Sequence, residues 1–193
     1  MVGGRVDERI ICAGFGGQGI MVMGKVLAEA AMLSGFNVTW MPAYGAEVRG
    51  GTAYAMVRFS DSLVANPVVE KAGTAIIMNG PSMEKFISSV EPGGLAVVNT
   101  SLVAGEIKKR GLDIQAHPIT EEAIKLGNVK VANMIAAGIY AARKKLLDPG
   151  VLRETIKIMA GEREEIIPVN IKALERGLEL GCGKTLASRE GKK

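Results

Sequence analysis

A glycine-rich segment near the N-terminus has the spacing of a phosphate-binding loop. Gly14, Gly16 and Gly19 match the pattern G-x-G-x-x-G, with an apolar run before them and a long apolar segment after them. This order predicts a strand, a tight loop and a helix, in which the glycines let backbone approach a ligand closely. The alternative is a tight turn that binds no ligand. The candidate cofactor-binding residues of this loop are Gly14, Gly16, Gly17, Gln18 and Gly19.

The residues that follow the loop do not complete a nicotinamide-dinucleotide site. Such a site normally has an Asp or Glu about 20 residues beyond the loop, where it binds the ribose at the end of the second strand. Here the second predicted strand covers Phe36–Met41 and is followed by Pro42, and the first acidic residue after Glu29 is Glu47. The sequence therefore favours a loop that contacts phosphate or packs through its backbone, and it disfavours NAD.

A second candidate site follows this strand, in a segment with proline and glycine at its ends. Arg49 lies in this segment, and its guanidinium is suited to bidentate contact with phosphate or carboxylate. An internal salt bridge with Glu47 is the alternative. Because ligands of parallel sheets gather at the carboxyl ends of strands, we expect this loop to adjoin the glycine loop. Its candidate binding residues are Tyr44, Glu47, Arg49, Gly50, Gly51 and Thr52.

Composition and the remaining reactive residues exclude several function classes. The net charge of +4 is too small to indicate nucleic-acid binding, and no run reaches the ~18 apolar residues of a membrane span. Two cysteines, Cys12 and Cys182, are too few for an iron–sulfur or zinc site, so no metal site is expected. His117 has no partner pattern for catalysis, and no catalytic residue is assigned. The N-terminus lacks the apolar core of a signal peptide, so a cytoplasmic location is expected.

Predicted strands alternate with predicted helices along the chain, and most of the strands are apolar throughout. This pattern indicates an α/β fold: a single three-layer, Rossmann-like domain with a largely parallel sheet and a helical C-terminal third. We expect the domain to span residues 9–180. An N-terminal tail of residues 1–8 would precede it, and a frayed tail of residues 181–193 would follow it.

The helix predicted over Ile20–Leu33 is apolar nearly all round. A helix that is apolar on every side is covered on every side, so we expect the sheet on one face and another chain on the other. On this interpretation, the isolated chain would form a homo-oligomer. The alternative is that the helix lies at the centre of its own domain.

The two loops together resemble the gamma subunit, or gamma domain, of 2-oxoacid:ferredoxin oxidoreductases. The resemblance lies in Gly14-Phe-Gly-Gly-Gln-Gly19 and in Tyr44-Gly45-x-Glu47-x-Arg49-Gly50-Gly51-Thr52. It continues in three further motifs: Met78-Asn79-x-Pro81-Ser82, Asn133-Met-Ile-Ala136 and Val169-Asn170-x-x-Ala173-Leu174. The resemblance covers the chain from Arg9 to Leu180.

This resemblance implies a subunit that is inactive alone. In that family, the complete enzyme oxidatively decarboxylates a 2-oxoacid to an acyl-coenzyme A and reduces ferredoxin. The partners would be alpha and beta subunits and, in some enzymes, a delta subunit, which would carry the thiamine diphosphate and the iron–sulfur clusters. The gamma component packs beside them and is implicated in coenzyme A access. A free-standing chain of this length resembles the enzymes for 2-oxoglutarate or branched-chain 2-oxoacids.

Two other functions stay open at the level of the sequence. A stand-alone NAD-dependent dehydrogenase would need the carboxylate that the second predicted strand lacks. A non-catalytic scaffold subunit, whose glycine loops only permit close packing, would show no ligand dependence at Arg49.

Overall fold

A computed structural model of the chain describes residues 5–43, 52–105 and 111–183. Six strands lie within these ranges: β1 (Asp7–Gly14), β2 (Asn37–Ala43), β3 (Ala53–Ser60), β4 (Ala72–Ile77), β5 (Val90–Asn99) and β6 (Asp113–His117). They form one sheet in the order β2-β3-β1-β4-β5-β6. The first strand and the last helix each extend two residues beyond the domain limits expected from the sequence, 9 and 180.

Most of the sheet is parallel, as predicted, but β3 is reversed. It pairs antiparallel with both of its neighbours, β1 and β2, whereas β1, β4, β5 and β6 pair in parallel. The reversal follows from chain length, because only residues 44–52 connect β2 to β3 and a parallel crossover needs roughly a dozen residues or more. Consequently β2 is parallel to β1, but β3 separates the two.

Six α-helices accompany the sheet in the described ranges: α1 (Ile20–Leu33), α2 (Gly80–Phe86), α3 (Ile119–Lys125), α4 (Ala132–Lys144), α5 (Pro149–Ala160) and α6 (Ile167–Cys182). One face of the sheet is covered by α1 and α4, with α5 and α6 packed against them. The other face carries α2. The three-layer α/β fold with a helical C-terminal third is therefore confirmed.

The sequence places a turn at Glu91-Pro92-Gly93-Gly94, but these residues lie inside β5. The pairing register between β4 and β5 shifts there, and Gly93 has a φ of 78°. The residues between Val90 and Leu95 therefore form an irregular, bulge-like part of the strand and not a turn that ends it.

Most of the apolar surface of α1 is covered within the chain itself. Its two sides pack on the strands β2 and β3 and on the helices α4 and α5. The large apolar residues of α1 that are exposed are Val22, Met32 and Leu33. Neighbours in the same chain therefore account for most of the apolar composition of this helix, and the homo-oligomer of the isolated chain stays a prediction.

Small residues bring α4 and α6 into close contact. A methyl group on Gly177 would overlap the carbonyl oxygen of Ile135, and one on Gly138 would overlap the carbonyl oxygen of Leu174. Farther along, a methyl group on Gly181 would lie 2.8 Å from the carbonyl oxygen of Ile139. The backbones therefore approach more closely than any larger side chains would permit.

Paired charges close the amino edge of the sheet. Glu8 is 5% exposed; its carboxylate accepts a hydrogen bond from the Thr74 hydroxyl at 2.5 Å and lies 2.9 Å from Lys144 Nζ. Burial raises the pKa of Glu8, although both partners act in the opposite direction. These side chains link β1, β4 and α4 to one another. Ligands of parallel sheets bind at the carboxyl ends of the strands, so the candidate site is expected at the opposite, carboxyl edge.

Gly177→Ala is expected to lower the free energy of unfolding by about 2 kcal/mol. Overpacking costs ~1–3 kcal/mol, and the added methyl group would overlap the backbone carbonyl oxygen of Ile135, which cannot move aside as a side chain can. Gly80→Ala is the control, since its methyl group would meet only the Leu102 carbonyl oxygen, at 3.8 Å. Its expected effect is within about 0.5 kcal/mol. Chemical denaturation of both variants and the unchanged chain measures the difference. Equal stability of all three would contradict the close approach of α4 and α6.

Candidate functional site

The carboxyl edge of the sheet brings the two predicted loops together at their described ends. Gly14, where the glycine loop begins, pairs with Ala53, the first residue of β3. Thr52 precedes that residue, and Ala43 at the end of β2 pairs with Tyr54. The other predicted residues of the second loop, Tyr44, Glu47, Arg49, Gly50 and Gly51, lie outside the described residues.

The glycines of the first loop meet different local requirements. Gly17 and Gly19 have φ angles of 90° and 70°, which glycine adopts more readily than other residues. At Gly14 a methyl group would lie 2.5 Å from Gln18 Oε1 and 2.7 Å from Ile20 Cδ1, so both of these side chains would have to move. Gly16 faces open space. Only Gly16 is therefore free of a local structural reason to be glycine.

Gln18 uses its side chain inside the loop. Its Oε1 accepts a hydrogen bond from the Phe15 N–H at 2.6 Å, and its Nε2 donates to the Met78 carbonyl at 3.4 Å. Asn79 Nδ2 lies 3.5 Å from the same Oε1. This side chain therefore connects the end of β1 to the end of β4.

Two buried asparagines continue this connection along the edge. Asn79 caps α2, since its Oδ1 accepts from the Ser82 N–H at 2.9 Å. Asn99 ends β5, and its Nδ2 donates to the Met78 carbonyl at 3.2 Å and to the Thr120 hydroxyl at 2.8 Å. A network of side-chain amides thus runs from the glycine loop to the first turn of α3.

Asn133 braces the loop from the helical side. It is 4% exposed, its Nδ2 donates to the Gly19 carbonyl at 3.1 Å, and its Oδ1 accepts from the Met134 N–H at 2.9 Å. A methyl group on Gly19 would overlap this Nδ2. The start of α4 is therefore fixed to the residue that precedes α1.

A cleft of about 120 Å³ opens beside the loop. It is lined by Gly17, Gln18, Leu102, Thr120, Val129, Lys130 and Ala132. Lys130 brings a positive charge to it, and the exposed side chains of Leu102 and Val129 give it apolar walls. Sequence reasoning missed Thr120 and Lys130 as site residues, because only the packing of α3 and α4 brings them to the loop.

The other side chains that could take part in chemistry, Cys12 and His117, are not part of this cleft. Burial raises the pKa of the Cys12 thiol to about 12, which keeps it protonated. Burial, and to a lesser extent Arg176, lowers the pKa of His117, while Glu122 opposes them. Glu122 is itself bonded to Lys125 and Arg176. Among the described residues, no group of three or more His, Cys, Asp or Glu side chains could hold a metal ion.

Comparison with known proteins identifies the family. A family model described as pyruvate ferredoxin/flavodoxin oxidoreductase matches residues 9–180. The chain belongs to this oxidoreductase family. The family resemblance read from the two loops is therefore confirmed. No helix in the described part of this oxidoreductase-family chain has the length and apolar character needed to cross a membrane.

Two relatives show that this domain occurs in proteins of different length. Ketoisovalerate oxidoreductase subunit VorA of Methanothermobacter thermautotrophicus is 36% identical over 177 residues, which are 90% of this chain but only 36% of that protein. 2-Oxoglutarate synthase subunit KorC of Archaeoglobus fulgidus is 32% identical over 176 residues, 91% of this chain and 88% of KorC. The oxidoreductase domain thus spans about a third of one relative and most of the other.

Two solved structures share the fold. The gamma subunit of keto/oxoacid ferredoxin oxidoreductase from Geobacter sulfurreducens superposes with a TM-score of 0.78 at 24% identity, over 90% of this chain and 98% of that subunit. The 2-oxoglutarate:ferredoxin oxidoreductase from Magnetococcus marinus, solved with 2-oxoglutarate, coenzyme A and succinyl-CoA, gives 0.84 at 24% identity over 93% of this chain and 32% of that one. The family fold is the same in a free-standing subunit and in a longer chain.

Gly19→Ala is expected to lower the free energy of unfolding by about 1–3 kcal/mol, because it combines left-handed backbone with overlap on Asn133. Gly16→Ala is the matched control in the same loop, since its methyl group meets nothing within 4 Å. Thermal unfolding followed by circular dichroism compares the two variants. The loop geometry would be wrong if Gly16→Ala proved the more damaging change.

Proposed function

We propose that this chain is the gamma subunit of a multi-subunit 2-oxoacid:ferredoxin oxidoreductase, working in the cytoplasm. The complete enzyme would oxidatively decarboxylate a 2-oxoacid, transfer the acyl group to coenzyme A and reduce ferredoxin. The observation that carries the proposal is the family match over residues 9–180, combined with a cleft on the glycine loop. The chain alone would be inactive.

The division of labour follows from the side chains that this chain offers. An iron–sulfur cluster needs several thiolates, and Cys12 and Cys182 are buried in β1 and exposed at the end of α6, respectively. The family resemblance implies that alpha, beta or delta partner subunits would hold the clusters and the thiamine diphosphate. Ferredoxin would be reached only through them.

The cleft beside Gly17 would contribute to coenzyme A access. Coenzyme A carries phosphates, which favour glycine-loop N–H groups and cations such as Lys130 and Arg49. Its pantetheine arm suits apolar walls like those of Leu102 and Val129. Support comes from the related fold of the Magnetococcus enzyme, which was solved with coenzyme A bound.

The 2-oxoacid would be 2-oxoglutarate or a branched-chain 2-oxoacid. Two relatives support this range, since VorA is named a ketoisovalerate oxidoreductase subunit and KorC a 2-oxoglutarate synthase subunit. The choice between the two substrates would be made in the partner subunits, where the thiamine cofactor meets the 2-oxoacid.

Sheet order argues against a stand-alone NAD-dependent dehydrogenase. In the dinucleotide fold, the second strand lies next to the first, so that its terminal acid reaches the ribose. Here β3 lies between β1 and β2, and β2 ends at Ala43 without a carboxylate. Among the described residues, the second strand is not beside the first and does not carry the carboxylate that an NAD site uses.

Arg49→Ala in the assembled enzyme is expected to raise the Michaelis constant for coenzyme A about ten- to a hundredfold, because a charge-assisted bond is worth roughly 1.5–3 kcal/mol. Lys130→Met should raise it about twofold to fivefold, since Lys130 is exposed and an exposed ion pair is worth roughly 0.2–1 kcal/mol. Lys71→Met removes an exposed charge at the opposite edge of the sheet and should leave the constant unchanged.

The scaffold alternative gives a different result in the same assay. If Arg49 only pairs with Glu47, then Arg49→Ala and Glu47→Ala should lower the melting temperature alike and leave the coenzyme A constant alone. Unchanged constants in both Arg49→Ala and Lys130→Met would rule out a role of this chain in coenzyme A access.

A further inference from the structure

We propose that Gln18 is a positioning residue. Its side-chain amide holds the glycine loop in one conformation, in which the backbone N–H groups of Gly16 and Gly17 are available to a ligand beside the cleft. This inference rests on the proposed role of the cleft in coenzyme A access. The glycine pattern makes Gln18 a candidate for direct ligand contact, whereas this proposal gives it a structural role in the loop.

The orientation of the Gln18 amide is set from outside the loop. Asn79 Oδ1 accepts from the Ser82 N–H, so the donor end of the Asn79 amide points to Gln18 Oε1. Gln18 must then turn its own donor, Nε2, to the Met78 carbonyl, where it lies 3.4 Å away. Both ends of the Gln18 amide are therefore used by the protein.

The same side chain determines the path of the loop. Its Oε1 accepts from the Phe15 N–H at 2.6 Å, which closes a turn across Phe15 to Gln18 together with the backbone bond from the Gln18 N–H to the Phe15 carbonyl. The side chain lies over Gly14, where a methyl group would come within 2.5 Å of Oε1. Gly14 and Gln18 therefore depend on each other.

The closed turn leaves the next two glycines on the surface. Gly16 and Gly17 are exposed, and within the described ranges their N–H groups form no hydrogen bond. Gly17 also lines the cleft. A ligand phosphate would meet this backbone, whose geometry exists before binding because Gln18 and Asn133 hold both ends of the loop.

The test compares three variants in the assembled enzyme. Gln18→Met keeps the length of the side chain and removes all of its hydrogen bonds. Gln18→Glu keeps the acceptor for the Phe15 N–H but cannot donate to the Met78 carbonyl. Asn170→Ala is the matched control, because it removes an amide that donates to a backbone carbonyl elsewhere in the chain, that of Ile166 just before α6, at 2.7 Å.

Two measurements are made on each variant: steady-state kinetics and hydrogen exchange of the peptide that contains residues 14–19. Gln18→Met should raise the Michaelis constant for coenzyme A about three- to tenfold, with the turnover number and the 2-oxoacid constant unchanged. Gln18→Glu should raise the coenzyme A constant at least as much, because its carboxylate faces the Met78 carbonyl and adds negative charge beside the ligand phosphate. Loop exchange should quicken in both and stay unchanged in Asn170→Ala.

Each contrary result overturns the proposal in its own way. A raised coenzyme A constant with unchanged loop exchange would mean that Gln18 contacts the ligand directly. Faster loop exchange with an unchanged constant would mean that loop order does not matter for binding. In that second case, a raised constant in Arg49→Ala or Lys130→Met would leave the role in coenzyme A access standing, and unchanged constants in both variants would remove that role as well.

Discussion

The carbonyl group of Met78 holds the carboxyl edge of this sheet together. Met78 follows the last residue of β4, and its N–H still bonds to the Ala13 carbonyl at 2.8 Å. Its carbonyl group is buried and has no strand to pair with, so side chains must satisfy it. Gln18 and Asn99 do so from opposite sides, and through them the glycine loop, β4, β5 and α3 become one unit.

The helical layer also contacts the glycine loop at this edge, through the first turn of α4. The close contact of α4 with α6 through Gly138 and Gly177 fixes α4, whose first turn carries Asn133. Asn133 in turn holds the carbonyl group of Gly19 and therefore the start of α1. Packing at a distance from the cleft thus decides where the glycine loop lies, and the apolar α1 is mostly explained by neighbours in its own chain.

Local patterns in the sequence were sufficient for the strand, loop and helix that carry the glycines. The bounds of α1 are those of the predicted helix, and the alternation of strands with helices followed from apolar runs and periodicity. Reversal of β3 could have been inferred from the short connection before it. The turn expected at Glu91–Gly94 failed because pairing with β4 overrode the preference of its residues.

The polar network at the site could not be derived from sequence patterns. Asn79 and Asn133 belong to motifs of the family resemblance, but those motifs do not reveal that the fold brings one to Gln18 and the other to Gly19. Lys130 lies in a short turn far along the chain from the loop. The pattern made Gln18 a candidate for ligand contact, and it did not reveal the bonds of this side chain to the Phe15 N–H and the Met78 carbonyl.

The most direct test of the account is activity of the complex purified through a tag on this chain from its native cell. The account predicts that thiamine-binding and iron–sulfur subunits co-purify, and that viologen is reduced only when a 2-oxoacid and coenzyme A are both present. The chain produced alone should show no such turnover. Turnover by the lone chain, or a tagged complex without oxidoreductase subunits and without activity, would contradict the account.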